Sequence, residues 1–247
     1  MTILKTRGVV LKRRVYGEAD RILTILTPRL GKITAIAKGS RRPTSKLVGH
    51  LELFYLVDWV LAEGRTWYIV SSAETVVSFQ NLQKELSITS AAGYIATLID
   101  RVLPEGETSS RLYHLAIETF TTLTRAHAEL ILRQTEWQIL LAIGLRPELH
   151  RCSHCAQALT PTHLGLCPTR GGALCVNCLM SEAIHIPVTA TTLKLLRLFE
   201  QAPKMLARRL VVPKAITQEL ERVTRAFLEH ALEKPIPFQG LIAHANN

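Results

Sequence analysis

Cys152-Ser-His-Cys155 and, after nineteen intervening residues, Cys175-Val-Asn-Cys178 form the most specific pattern in this chain. Two Cys-x-x-Cys pairs at this separation are typical of a four-cysteine zinc ribbon, in which each pair forms one knuckle. Pro168, Gly171 and Gly172 lie between the pairs, as a loop that folds back on itself requires. The sequence therefore predicts one structural Zn²⁺ per chain, held by Cys152, Cys155, Cys175 and Cys178.

Two other interpretations of the cysteines are two disulfides or a redox-active Cys-x-x-Cys. Disulfides need an oxidising compartment, and the first residues contain no secretory signal. A thioredoxin-like redox site needs a neighbouring βαβ pattern, which does not surround these cysteines. Cys167, His154 and His163 are further donors near the pairs, and any of them could replace one of the four ligands.

The composition is that of a folded protein with a hydrophobic core. The chain has 247 residues, of which 47% are hydrophobic and 20% are charged. No apolar run approaches the roughly 18 residues that a membrane-spanning helix needs. We expect a cytoplasmic protein that makes no contact with a membrane.

The positive charge is concentrated at the N-terminal end of the sequence. Residues 1–50 hold twelve Lys and Arg against two acids, so their net charge of +10 equals that of the whole chain. A solubilising surface would mix both signs more evenly, whereas a concentrated basic segment is typical of a protein that binds a polyanion. We therefore expect a nucleic acid as the partner.

Period-two hydrophobicity and turn residues predict five strands, at 3–15, 21–27, 32–38, 51–62 and 65–79. Five strands with a longer connection between the third and the fourth fit a small barrel of the OB type. Such barrels bind single-stranded nucleic acid with basic side chains and with aromatic rings that stack on bases. Most aromatic residues here alternate into the core, and Tyr16, in a turn beside three basic residues, is the one expected to be exposed.

Seven basic residues are the candidates for contacts with the phosphates of a nucleic acid. Three follow the centre of the first strand, and four come from a loop opposite the end of that strand. They are Lys12, Arg13, Arg14, Lys38, Arg41, Arg42 and Lys46.

The pattern becomes helical from about residue 82, so the fold class is α+β. Helices are predicted at 87–103, 109–126, 128–143, 191–201 and 213–233. The expected domains are an OB barrel at 1–80, a helical domain at 81–149 and 181–247, and a zinc ribbon at 150–180 inserted in the helical domain. No P-loop, His-Glu-x-x-His or Gly-x-Ser-x-Gly motif is present, which favours a binding protein over an enzyme.

Two groups of residues, in order along the chain, carry a resemblance to a known family. The first is Arg7-Gly-Val-Val-Leu11, Tyr16-Gly-Glu-Ala-Asp20, Thr27, Gly31, Ala37-Lys-Gly39, Arg41, Arg42 and Ser45. The second is Arg133, Glu136, Leu140, Leu141, Gly144, Pro147, Leu149, Cys152 and Cys155, then Gly171, Gly172, Cys175 and Cys178. Over residues 1–180 the chain resembles the RecO family of bacterial recombination mediators in DNA repair.

The resemblance implies an OB barrel, a helical domain and a zinc ribbon. It also implies binding to single- and double-stranded DNA, annealing of complementary strands and association with the nucleoid. With RecR, a family member helps to load RecA onto SSB-coated DNA, and the helical domain contacts the acidic C-terminal tail of SSB. Basic residues that could serve in that contact are Arg125, Arg133, Arg208 and Arg209.

Two other functional classes stay open from the sequence. An RNA-binding or ribosome-associated protein would also need a basic OB barrel and a zinc ribbon. An enzyme with a cysteine-based site would need one reactive cysteine among the five.

Overall fold

The computed structural model describes residues 2–160, 162, 164–182, 184–201 and 205–236. Within them the chain forms two compact units, residues 2–125 and 126–236. Among the helices so described, none is long and apolar enough to cross a membrane.

The first unit begins with a closed five-stranded barrel. Its strands are β1 (Ile3–Tyr16), β2 (Asp20–Leu26), β3 (Lys32–Ala37), β4 (Leu56–Ala62) and β5 (Tyr68–Val77). They close in the order β1-β2-β3-β5-β4, with β3 and β5 parallel and the other neighbours antiparallel. A five-stranded barrel of this kind is the OB architecture, so the predicted fold class is confirmed.

The long strand β1 closes the barrel because it pairs with two partners. Its first half, Ile3–Val9, pairs with β4, and its second half, from Val9 to Tyr16, pairs with β2. The register shifts between Val10 and Lys12, and a bulge at that point bends the strand from one partner to the other. Inside, Trp59 is 1% exposed and its indole N–H donates to the Gly8 carbonyl at 3.1 Å.

The fourth and fifth strands begin later than the sequence predicts. Residues 48–50 form a 3₁₀ turn, and Phe54 has a φ of 70°, so the chain turns before β4 begins at Leu56. Leu51 is fully buried in the barrel core although it lies outside the strand. Its apolar side chain therefore gave a strand-like pattern where the backbone forms a loop.

Two helices of the first unit pack on the barrel, α1 (Leu86–Val102) and α2 (Ser110–Thr122). The Ser109 hydroxyl caps α2 by accepting a hydrogen bond from the Leu112 N–H at 3.2 Å. Phe120 of α2 packs against Phe54, with ring centroids 5.2 Å apart. The unusual backbone at Phe54 thus places an aromatic ring between the barrel and the helices.

Asp100 of α1 joins this helix to the barrel through two lysines. Its carboxylate lies 2.5 Å from Lys12 Nζ and 2.9 Å from Lys32 Nζ. Lys32 is only 8% exposed, and its ammonium also donates to the Asp100 carbonyl at 2.5 Å. Burial raises the pKa of Asp100, but the two lysines outweigh burial and hold the pKa below its ordinary value.

The second unit is organised around α3 (Ala128–Ala142), whose residues from Leu130 to Leu141 are all buried. After α3 come β6 (Leu164–Cys167), β7 (Gly172–Leu174), α4 (Val176–Ser181), β8 (Ile186–Val188), α5 (Ala190–Gln201) and α6 (Lys214–Leu232). The three short strands form a sheet in the order β7-β6-β8. The five long helices lie where the sequence predicts them, whereas α4 and β8 are too short to give a periodic signal.

Buried polar side chains of α3 form ion pairs and hydrogen bonds with one another and with α6. Arg133 and Glu136 form an ion pair at 3.0 Å, although they are 3% and 1% exposed. The Thr224 hydroxyl of α6 donates to the Glu136 carboxylate. The suggestion that Arg133 contacts a partner protein is therefore wrong, because a side chain at this depth cannot reach another molecule.

The compact unit that holds the barrel extends to residue 125 and includes α1 and α2. The expected barrel domain, by contrast, ends at residue 80, and the expected ribbon covers 150–180. These domain boundaries stay a prediction. Residues 237–247 of the expected helical domain lie outside the described residues.

We expect Asp100→Asn to lower the free energy of unfolding by about 2 kcal/mol at neutral pH, because Lys32 then loses its counter-charge in a buried site. Since the folded pKa of Asp100 lies below its unfolded value, this contribution is present above about pH 4 and is lost as the pH falls further. Urea unfolding of both proteins at pH 7 and pH 3 measures the difference. Glu74→Gln, which changes an exposed carboxylate on β5, is the control. An equal effect of Asp100→Asn at both pH values would contradict the ion-pair assignment.

Candidate nucleic-acid interface and metal centre

The four predicted metal ligands come together in the second unit. Cys152 and Cys155 lie in a turn after α3, while Cys175 precedes α4 and Cys178 lies within it. The β6–β7 hairpin folds the chain back between the two pairs. As a result, the four Sγ atoms all lie within 4.8 Å of one another.

The sulfur atoms are spaced as metal ligands, and all five cysteines are free of disulfides. Cys155 Sγ and Cys175 Sγ are 3.6 Å apart, far beyond the roughly 2.05 Å of a sulfur–sulfur bond. A tetrahedral ion with bonds of about 2.3 Å to sulfur would separate its ligands by about 3.8 Å. The four cysteines could therefore hold a metal ion.

The backbone around Cys152 favours the thiolate that a metal requires. Burial raises the pKa of the Cys152 thiol, but the N–H groups of Cys155, Cys175 and His154 outweigh it and lower the pKa to about 6. For Cys178, burial and the neighbouring thiols raise the pKa to about 12. Four thiolates this close would repel one another. A cation between them would balance their charge, so that metal binding releases the thiol protons.

The structure describes two of the three alternative metal ligands, Cys167 and His154. Cys167 is fully buried, with its Sγ 3.1 Å from the Thr169 hydroxyl, and is not part of the cluster that the described residues form. His154 is exposed and contributes its backbone N–H rather than its ring. His163 lies outside the described residues.

The basic loop after β3 lies against the turn that joins β1 and β2. The Arg41 N–H donates to the Ala19 carbonyl at 2.8 Å, and the Arg41 guanidinium donates to the Glu18 carbonyl at 2.8 Å. The Gly39 N–H donates to the Asp20 carboxylate at 2.7 Å. These contacts bring the basic end of β1 and the loop of residues 39–46 together at one end of the barrel.

The seven basic candidates divide into three groups. Lys12 is paired with Asp100 and Arg13 with Glu52, so part of their charge is neutralised. Arg41 is exposed but holds the loop through backbone carbonyls. The other four are exposed and have no carboxylate within ion-pair distance among the described residues; they are Arg14, Lys38, Arg42 and Lys46.

An aromatic pair lies at the same turn. Tyr16 is 47% exposed, as predicted, and its ring meets that of Trp67 edge to face with centroids 5.4 Å apart. Sequence reasoning missed Trp67, because it placed this residue inside the fifth strand. The preceding Gly64-Arg65-Thr66 was the available signal, since it places Trp67 in the β4–β5 turn.

Comparison with known protein families agrees with this architecture. The family model described as "Recombination protein O N terminal" matches residues 1–79, and "Recombination protein O C terminal" matches residues 83–238. The chain belongs to the RecO family. The first RecO match covers the barrel, and the second covers α1, α2 and the described part of the second unit.

Individual relatives support the RecO assignment over most of the chain. The DNA repair protein RecO of Roseiflexus sp. is 35% identical over 94% of this chain and 82% of its own length. That of Dehalococcoides mccartyi is 35% identical over 93% of this chain and 91% of its own. That of Thermoanaerobacter sp. is 28% identical over the full length of both. These names describe DNA repair proteins.

Ala156 closes the first cysteine turn of this RecO family member in a left-handed conformation, with a φ of 60°. Its N–H donates to the Cys152 carbonyl at 2.8 Å. Because a Cβ is strained there, we expect Ala156→Gly to raise the free energy of unfolding by about 0.5–1 kcal/mol. Ala158→Gly, two residues away and without a positive φ, should lower it by a similar amount. Chemical denaturation checks both, and a loss of stability in Ala156→Gly would contradict the assigned turn.

Proposed function

We propose that this chain is a DNA-binding recombination mediator in DNA repair. It binds single- and double-stranded DNA through the basic end of its OB barrel and anneals complementary strands. With RecR, it helps to load RecA onto DNA that is coated by SSB. Membership of a family of DNA repair proteins supports this role.

The observation that carries the proposal is the group of exposed cations on one end of an OB barrel. Arg14, Lys38, Arg42 and Lys46 can each approach a phosphate without first breaking an ion pair with another described residue. Arg41 fixes the loop and adds a further exposed guanidinium. Lys12 and Arg13 add positive potential, although Asp100 and Glu52 reduce their share.

Annealing follows from the same group of charges. The main barrier to the approach of two strands is the repulsion between their phosphates. A surface that neutralises phosphates of both strands lowers that barrier without reading any base. Contacts to phosphates carry no information about the bases, so this part of binding and annealing should not depend on the sequence of the DNA.

The partner contacts are proposed for the second unit. Arg208 and Arg209 lie there in a 3₁₀ turn and are exposed, so they can meet an acidic peptide such as the SSB tail. RecA takes part indirectly, through its loading onto DNA, and RecR takes part as the protein that acts together with this chain.

The metal centre is proposed to hold one structural Zn²⁺, bound by Cys152, Cys155, Cys175 and Cys178. Four thiolates suit zinc and leave no open coordination position, so the ion stabilises the fold and takes no part in chemistry. The two pairs are far apart in sequence, and their joint ligation holds the β6–β7 hairpin to the turn after α3.

We expect Arg42→Glu to weaken binding to single-stranded DNA and to slow annealing of SSB-coated strands. Loss of one phosphate contact should reduce the slope of log affinity against log salt by about 0.7. Fluorescence anisotropy over a range of salt concentrations measures the slope, and a strand-annealing assay measures the rate.

Lys5→Glu is the matched control for this experiment. Lys5 is exposed on the half of β1 that pairs with β4, away from the basic loop, and the substitution makes the same change in charge. It should leave the slope nearly unchanged. Affinity that does not vary with salt in the native protein would contradict the proposed function.

For the metal, we expect about one zinc per chain, with loss of ordered structure in the second unit on chelation. Cys175→Ala should abolish stoichiometric zinc, whereas Cys167→Ala should retain it, because Cys167 lies outside the cluster. Elemental analysis of the purified proteins gives the zinc content, and circular dichroism follows the effect of the chelator. Loss of zinc from Cys167→Ala alone would show that the ligand set is different.

A further inference from the structure

A cavity of about 500 Å³ lies in the first unit between β3, the β4–β5 turn and the connection from α1 to α2. Apolar and aromatic side chains line it at Leu30, Trp67 and Tyr68, and polar side chains at Thr34, Glu63 and Glu105. Its volume lies within the range of sites that hold small organic molecules. None of the contacts described for DNA phosphates uses it.

The walls of this cavity are fixed by backbone contacts. Residues 105–107 run along the edge of β3, where the Gly106 N–H donates to the Lys32 carbonyl at 2.7 Å and the Lys32 N–H to the Glu107 carbonyl at 3.1 Å. A Cβ at Gly31 would lie 2.1 Å from the Glu107 carbonyl oxygen, so only glycine permits this approach. The shape of the site is therefore built into the fold.

One wall continues to the basic end of the barrel. Trp67 lines the cavity and also meets the exposed ring of Tyr16, which follows the basic segment of β1. A strand whose phosphates lie on the basic loop could thus place a base next to Trp67. Aromatic rings bind unpaired bases by stacking, whatever the base.

The polar side chains that line the cavity, here called its rim, determine which ligand chemistry fits beside the aromatic ring. Glu63 and Glu105 carry carboxylates, which accept hydrogen bonds when they are ionised, and the Thr34 hydroxyl donates to Glu105 Oε2 at 3.2 Å. Lys32 also lines the cavity, but its ammonium is bound to the carboxylate and the carbonyl of Asp100. The rim therefore favours a ligand that donates hydrogen bonds, and it repels phosphate.

We propose that this cavity holds one unpaired base of a DNA strand and prefers bases with an exocyclic amino group. Cytosine, adenine and guanine present such a donor, whereas the exocyclic polar groups of thymine are carbonyl oxygens, which the carboxylates disfavour. Trp67 supplies the stacking surface, and Glu63 and Glu105 determine the preference. The proposal rests on the proposed DNA binding and adds a selectivity that phosphate contacts cannot give.

Competition between short oligo(dC) and oligo(dT) tests the proposal, since both are single-stranded pyrimidine homopolymers. We expect the full-length native protein to bind oligo(dC) about fivefold more tightly at neutral pH. The double substitution Glu63→Gln and Glu105→Gln should bring the ratio close to one, because amides both donate and accept. Both residues are exposed, so folding should be unaffected.

Glu74→Gln is the matched control, because Glu74 is an exposed carboxylate of the same unit that does not line the cavity. It should leave the ratio unchanged, even if affinity for both oligonucleotides rises. Trp67→Leu should weaken both complexes. It should also remove the quenching of tryptophan fluorescence on binding, because Trp59 and Trp137 are 1% and 0% exposed.

Two results would overturn the proposal. One is equal affinity for the two oligonucleotides in the native protein, and the other is a preference that survives the double substitution. In both cases, salt-dependent binding that Arg42→Glu weakens would leave the proposed function standing. Absence of any salt-dependent DNA binding would instead contradict the proposed function itself.

Discussion

The first unit depends on one strand that is shared by two neighbours. Because β1 bends at the bulge between Val10 and Lys12, its first half completes the barrel with β4 and its second half extends beside β2. The extension carries Lys12, Arg13, Arg14 and Tyr16 to the turn where the basic loop is held. A strand without the bulge would close the barrel less well, and it would not place its basic end beside that loop.

Much of this arrangement could be predicted from local patterns. Period-two hydrophobicity gave the five strands, helical periodicity gave the long helices, and the cysteine spacing gave the cluster, because each signal is carried by neighbouring residues. The rest depends on contacts between residues far apart in sequence. Leu51 lies in a loop but is buried in the barrel core, and Trp67 lies in the turn before β5, where it contacts Tyr16. Neither position follows from the alternation of hydrophobic residues alone.

The ion pairs of the basic segment also depend on contacts between residues far apart in sequence. The first fifty residues contain the whole excess of positive charge, but the fold brings Asp100 to Lys12 and Lys32, and Glu52 to Arg13. Lys32 thereby becomes a buried part of the contact between β3 and α1. A count of basic residues thus overestimates the charge available to a polyanion, and the exposed cations after β3 become the more important group.

The same unit presents two opposite kinds of hydrogen-bonding surface. Exposed cations at the basic loop can only donate, as phosphates require, whereas Glu63 and Glu105 at the cavity accept, as base amino groups require. In a duplex those amino groups are already engaged in base pairing, so the cavity can act only on a single strand. A base held there must leave it to pair with a complementary strand. Binding in the proposed site and annealing therefore compete for the same base.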